Sequence, residues 1–235
     1  MQRHQQLADY LKNHPDAVGK VVDYDAQSDK LLLFDFTSAN TVLTAASIAD
    51  TVKFSEWINT QLARHHCRYG IGGYMEHRTL YARSALFDTN GIEPRRLHLG
   101  TDIWGPAGTP VYAPLAGRVH SLGNHNSFGD YGATIILEHQ LAGLPMFSLY
   151  GHLNAGSLQG LHAGLPVAKN QQIACFGEPH ENGSWPPHLH FQLMFDMQGY
   201  AGDYPGVCRY SEKEAYRQNI PDPELLLQYS GATIM

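Results

Sequence analysis

The stretch His188-Leu189-His190-Phe191-Gln192-Leu193 reads as a β-strand, and the expected fold is built outward from it. Side chains alternate across a strand, so His188 and His190 share one face, roughly 7 Å apart along the backbone. Earlier in the chain, His98-Leu99-Gly100-Thr101-Asp102 offers an imidazole and a carboxylate four positions apart. Gly100 and the following Gly105-Pro106 argue against a helix there. In an extended segment an even spacing again keeps both side chains on one face. Zinc takes nitrogen and oxygen ligands in a tetrahedral shell, and its catalytic sites leave one position open for water. Two histidines and one aspartate suit such a shell.

With 14 histidines in 235 residues, some close pairs arise by chance. His65-His66, His120 and His125 are read as surface or structural residues. A third signature changes the weight of the first two: Tyr150-Gly151-His152-Leu153 closes the apolar run Met146-Phe147-Ser148-Leu149.

The three signatures, in this order, resemble the lysostaphin-like (LytM-type) zinc metalloendopeptidase family, which is marked by HxxxD, a later Tyr-x-His-Leu and a closing HLHF. The connecting segments are similar too. Gly108-Thr109-Pro110-Val111-Tyr112-Ala113-Pro114 with Gly117-Arg118-Val119 resembles the family's first hairpin, and Gly164 to Val167 with Gln172-Ile173-Ala174 and Gly177 its late one. The resemblance covers about residues 70 to 197. It implies one zinc ion per chain held by His98, Asp102 and His190, with His152 and His188 as catalytic histidines. Arg78 resembles an arginine that lies before HxxxD and faces the substrate groove. His77 beside it is not read as a ligand. Asn124 and Trp185, in the loops 124–131 and 179–185, are expected on the groove's rim.

The chemistry agrees with that division of labour. Bound zinc lowers the pKa of water from 15.7 toward about 7. The chain has no HExxH, so no glutamate base is supplied in the usual metalloprotease way. Neutral histidine, with an ordinary pKa near 6.5, can accept or donate a proton at working pH. Sequence leaves open which of His152 and His188 is the base.

Some positions depart from the family. Where it often reads Gly-Pro-His-Leu-His-Phe-Glu, this chain has Trp185-Pro186-Pro187-His188-Leu189-His190-Phe191-Gln192. The segment Gly72 to Tyr81 and the late Pro221 to Leu227 resemble a cytosolic subgroup fused to phosphotransferase and aminotransferase domains.

Composition suits a globular enzyme. Hydrophobic residues are 43% and charged residues 16%, against disorder. The net charge is −6, and residues 71–235 carry 14 acidic against 9 basic side chains. That balance argues against a nucleic-acid or anionic-membrane partner. Cys67, Cys175 and Cys208 show no CxxC spacing, so free thiols are expected rather than a disulfide framework. The polar start Met1-Gln2-Arg3-His4 lacks an apolar signal-peptide core, and no apolar run approaches about 20 residues, so a cytoplasmic location is expected. Oligomeric state is not legible.

The expected architecture is an all-β core, an antiparallel β-sandwich or open barrel, over residues 71–210. A small α+β extension occupies 1–70, and a C-terminal helix and tail occupy 211–235. Short β-prone runs alternate with Gly/Pro turns beyond residue 100, which is the all-β rhythm. In the extension, Val18–Val22 and Leu31–Phe36 are expected to pair as a hairpin. Ser47 is expected to cap a helix whose apolar face holds Ile48, Val52, Trp57, Ile58 and Leu62. The glycines of Tyr69-Gly70-Ile71-Gly72-Gly73 are read as a boundary. Ser211-Glu212-Lys213-Glu214 is expected to start a short helix. The expected activity is zinc-dependent hydrolysis of amide bonds in short peptidoglycan-type peptides, containing glycine or D-amino acids. The alternatives are a cytosolic amidohydrolase of a small metabolite and a non-catalytic activator of another hydrolase. A lipoyl-type carrier hairpin is set aside because Lys169, the only lysine between residues 54 and 212, has no flanking motif.

Overall fold

The computed structural model describes residues 2–88, 93–229 and 233–234. The chain begins with α1 (Gln2–Asn13), β1 (Lys30–Phe34), α2 (Ala45–Ala49), α3 (Thr51–His65) and β2 (Tyr69–Gly72). The central strands follow: β3 (Leu97–His98), β4 (Thr101–Trp104), β5 (Pro110–Tyr112), β6 (Gly117–His125), β7 (Gly132–Leu141), β8 (Leu144–Leu153), β9 (Pro166–Val167), β10 (Gln172–Cys175) and β11 (His188–Met194). The chain closes with β12 (Val207–Cys208), α4 (Lys213–Asn219), α5 (Glu224–Leu227) and β13 (Thr233–Ile234).

Among the described residues one nine-stranded sheet runs β13-β1-β2-β4-β11-β8-β7-β6-β9, with the pairs β5–β10 and β3–β12 beside it. From β2 to β9 every pairing is antiparallel, as expected for the core. The β7–β8 hairpin turns through Ala142 and Gly143, both at positive φ (51° and 88°), the two-residue turn whose twist matches the flanking strands. β11 is buried along its whole length. Leu189, Phe191 and Leu193 point into the main apolar core, while His188, His190 and Gln192 point to the other side.

The N-terminal part differs from expectation in its pairing. Val18–Val22 forms no strand, and β1 runs parallel to β2, with α2 and α3 between them. Val21 and Val22 are buried, and Val21 accepts a backbone hydrogen bond from Tyr112 (2.8 Å) instead of facing β1. Antiparallel hairpins suit short links, whereas a parallel pair needs a crossover, and the helical segment 45–65 supplies one. The glycine cluster at 69–73 is itself a strand in the sheet, between β1 and β4.

The helix caps are also displaced from Ser47. Thr44 and Ser47 make a reciprocal capping box on α2, and the Asp50 carboxylate caps α3 by accepting from Val52 and Lys53. Ile48, Ile58 and Leu62 are buried as expected, but Val52 is 67% exposed and Phe54 takes the core position. α4 occupies the expected C-terminal helix position. No helix among the described residues is long and apolar enough to cross a membrane.

Candidate metal centre

A row of directly opposed residues crosses four strands: Gly72 on β2, Asp102 on β4, His190 on β11 and Gly151 on β8. The two ligand-type side chains are therefore cross-strand neighbours, with a glycine on each flank. A Cβ on Gly72 would meet Arg78 Nη2 at 2.5 Å, and one on Gly151 would meet the Tyr131 ring at 2.6 Å. The missing side chains leave room for the groups that hold Asp102 and His190. His98 enters from β3, and HxxxD is not helical: a bend at Gly100 joins β3 to β4.

Three ligand atoms converge. His98 Nε2 lies 3.0 Å from His190 Nδ1 and 3.2 Å from Asp102 Oδ1, and His190 Nδ1 lies 3.1 Å from the same oxygen. The remaining atoms of these side chains fix where the protons are. His98 Nδ1 donates to the Gly73 carbonyl (2.9 Å), an acceptor only, so Nε2 carries the lone pair. His190 Nε2 faces Gln192 Oε1 at 3.0 Å, and the Gln192 amide nitrogen donates to Pro205 O, which orients that amide. Nδ1 of His190 is therefore the bare nitrogen. Asp102 Oδ2 accepts from Arg78 Nη1 at 2.5 Å.

Three lone pairs thus face one another in a dry site with no proton between them, which is unfavourable unless a cation stands there. Edges of 3.0–3.2 Å are close to the ligand spacing of about 3.3 Å that follows from zinc bonds near 2.0 Å in a tetrahedron. The donor set fits one zinc ion. Burial, together with Arg78 nearby, pushes His98 down to about 3, so its imidazole is neutral and free to ligate. Burial disfavours charge on Asp102, yet the Arg78 guanidinium bonded to it holds its carboxyl well below the usual range.

His152 and His188 stand beside this tripod, their ring centroids 4.1 Å apart. Each spends Nδ1 on a backbone carbonyl: His152 on Asn182 O (2.9 Å) and His188 on Pro186 O (2.8 Å). Nε2 of each has no protein partner among the described residues, and it is the nitrogen able to take a proton. Burial pushes His188 down to about 4 and His152 well below its ordinary value. His188 stacks on Trp104 at 3.9 Å and 14°, and His152 sits at a positive φ of 61°. Such backbone needs support from its surroundings. Its N–H donates to Tyr131 O and its carbonyl accepts from Gly177 N.

The three expected groove residues are placed differently from one another. Trp185 is buried and lines the cavity beside His152 and His190. Arg78 is 1% exposed, and its guanidinium is committed to Glu76 and Asp102, behind the ligands rather than along an open groove. Asn124 is exposed on β6 and lines neither of the two cavities at the site. Beside the tripod lies a cavity of about 160 Å³, walled on one side by Tyr81, Leu86, Phe87 and Arg95 and on the other by residues 203–207. Ser84 Oγ donates to Phe128 O (3.0 Å), tying the segment 81–88 to the loop before Gly129. His77 meets the Tyr210 ring edge-to-face and takes no part, and Glu138 pairs with Arg118.

Sequence reasoning gave no role to Tyr131, whose hydroxyl lies 3.4 Å from His190 Nε2, or to Asn182, fully buried and bonded to Gly177 and Trp185. The only signal for either was its place in a loop expected to border the site.

Comparison with known proteins agrees with this geometry. Residues 96–201 match the model of "Peptidase family M23". An L-Ala--D-Glu endopeptidase of Bacillus subtilis is 34% identical over 125 residues, 51% of this chain and 36% of that protein. Peptidoglycan DD-endopeptidase ShyA of Vibrio cholerae is 30% identical over 115 residues, 45% of this chain and 24% of that protein. The chain therefore spans only about a third and a quarter of these curated relatives. The catalytic domain of lysostaphin from Staphylococcus simulans aligns with 69% of this chain and 97% of its own, at 22% identity and a TM-score of 0.39. The matched region begins two residues before His98 and ends beyond β11, so the part of the chain that is similar to peptidase family M23 encloses the whole tripod.

Proposed function

We propose that this protein is a zinc metallopeptidase that hydrolyses amide bonds in short peptides, with His98, Asp102 and His190 holding the metal. The observation that carries this reading is the convergence of three unprotonated ligand atoms, each locked by a second hydrogen bond. Zinc bound there supplies Lewis acidity, polarising a carbonyl and bringing the pKa of water toward about 7. His152 and His188 handle protons: the Nε2 of one accepts from the attacking water and the other returns a proton to the leaving amine. Their Nδ1–carbonyl bonds hold both rings in the tautomer this requires. Arg78 fixes the Asp102 carboxylate.

The relatives are named for cutting peptidoglycan peptides, which supports a peptide of that type as substrate. The small volume of the cavity, about 160 Å³, supports a short peptide or small amide as the part of the substrate held there.

Two measurements test the reading. By elemental analysis the purified protein should hold about one zinc per chain, and single alanine changes at His98, Asp102 or His190 should remove most of it. His152→Ala and His188→Ala should keep the metal while losing about 10²–10⁴ in turnover on muropeptides, oligoglycines or small amides followed by mass spectrometry. Full zinc in His190→Ala, or no cleavage of any amide by zinc-loaded wild type, would refute it.

A further inference from the structure

The cavity beside the tripod has charged walls that the hydrolytic machinery does not use. Asp130 and Asp203 line it on the side of the 129–131 and 203–207 segments, and Arg95 lines it on the other. Among the described residues neither carboxylate forms an ion pair. Asp130 is half-buried, and its one hydrogen bond comes from the adjacent Tyr131 N–H (2.8 Å). Burial, with Asp203 nearby, pushes its carboxyl above the usual range even though His125 and Arg95 act the other way, so a further cation placed there would be welcome. Arg95 is already held on its own wall: it donates to Leu86 O and lies over the Phe87 ring.

A second observation also points to a ligand. Trp185 is 3% exposed and lines the same cavity, and its indole Nε1–H has no acceptor. A buried donor left unpaired costs free energy that a bound carbonyl would recover. The walls are preformed: Gly202 N donates to Ser121 Oγ, Thr134 Oγ1 donates to Gly202 O, and Asn219 Nδ2 donates to the Tyr204 hydroxyl.

We propose that Asp130 and Asp203 form a specificity subsite for a primary ammonium group carried by the substrate close to the bond that is cut, with Trp185 donating to a substrate carbonyl. The inference takes the location of the substrate from the hydrolase reading above. The ammonium can be a free amino terminus or a side-chain amine, and the probes separate the two.

Binding is measured calorimetrically on the zinc-loaded His188→Ala protein, so that no turnover is needed. The probes are alanyl-alaninamide, its N-acetyl derivative, Nα-acetyl-lysinamide and free alanyl-alanine. At least one amine-bearing amide should bind tenfold or more tightly than N-acetyl-alanyl-alaninamide. A gain with alanyl-alaninamide assigns the amino terminus, and a gain with Nα-acetyl-lysinamide assigns a side-chain amine. Asp130→Asn and Asp203→Asn, each combined with His188→Ala, should reduce that preference, and the double asparagine change should erase it. Equal binding of free and acetylated probes would overturn the proposal, as would absence of any binding at millimolar concentration. So would a preference that survives both asparagine changes, which would point to direct amine–zinc contact, or tight binding confined to the free carboxylate of alanyl-alanine, which would point to Arg95. A zinc-loaded protein that cleaves amides yet shows no amine preference would leave the hydrolase reading standing and remove this one.

Discussion

Gln192 decides which nitrogen His190 leaves bare toward His98 and Asp102. Its Oε1 accepts from His190 Nε2, and its own amide donates to Pro205 O, so the imidazole is held with Nδ1 bare. Partners of this kind orient a ligand and raise its basicity, and losing one typically costs 10–100-fold in metal affinity. Gln192→Leu should therefore weaken zinc binding by about that factor with the fold retained, measured by competition with a chelator of known affinity. An unchanged affinity would mean that Tyr131, 3.4 Å from the same nitrogen, suffices. The convergence of His98, Asp102 and His190 was only partly legible in the sequence: even spacing puts His188 and His190 on one face of β11, whereas His98 and Asp102 meet across a bend at Gly100 that joins β3 to β4. Their partners were not legible. Gly73 O, Asn182 O and Tyr131 reach the site through loop geometry that no spacing encodes.

At the level of elements, β2 shows how a correct local signal can be misread. Glycines usually mark turns, and the cluster at 69–73 was expected to separate two units, yet it lies inside the sheet. The reason is close packing. The Phe34 ring of β1 lies over Gly70, where a Cβ would meet Cε2 at 1.9 Å, and Arg78 occupies the corresponding space above Gly72. Both glycines serve close approach rather than chain reversal, which is the other meaning of glycine in a strand. Gly70→Ala should cost about 1–3 kcal/mol through overpacking, seen as a lower urea midpoint with unchanged slope. No loss of stability would show that Phe34 can move aside freely. The antiparallel core from β4 to β11 was legible because its alternation and turn residues agree. The β1–β2 pairing was not, since a parallel pair is formed by tertiary packing of the intervening helices.

Across the whole molecule, the N-terminal seventy residues reach the site without supplying a ligand. Phe36 and Phe54 pack against Trp104 with ring centroids at 5.4 and 5.8 Å, and Trp104 stacks on His188. The Thr51 hydroxyl donates to Ser184 O, next to Trp185, so α3 also steadies the loop that orients His152. A molecule organised around buried neutral histidines carries a predictable sensitivity to acid, and His139 reports it away from the metal. Its ring lies between Ala116 O (2.9 Å) and Ser148 Oγ (2.7 Å), and burial pushes its pKa below 6.5. Below that value the unfolded chain takes up a proton at this position that the folded chain resists, so protonation favours unfolding. This contribution is complete above about pH 6.5 and is lost as the pH falls toward the depressed folded value, at no more than about 1.4 kcal/mol per pH unit. The zinc-free protein should accordingly lose urea stability between pH 7.5 and 5.5. His139→Gln, which retains hydrogen-bonding capacity without a titrating group, should be less stable at pH 7.5 but should lose less over that interval. Parallel pH profiles for the two proteins would mean that His139 is protonated as easily folded as unfolded, against its burial between two fixed oxygens.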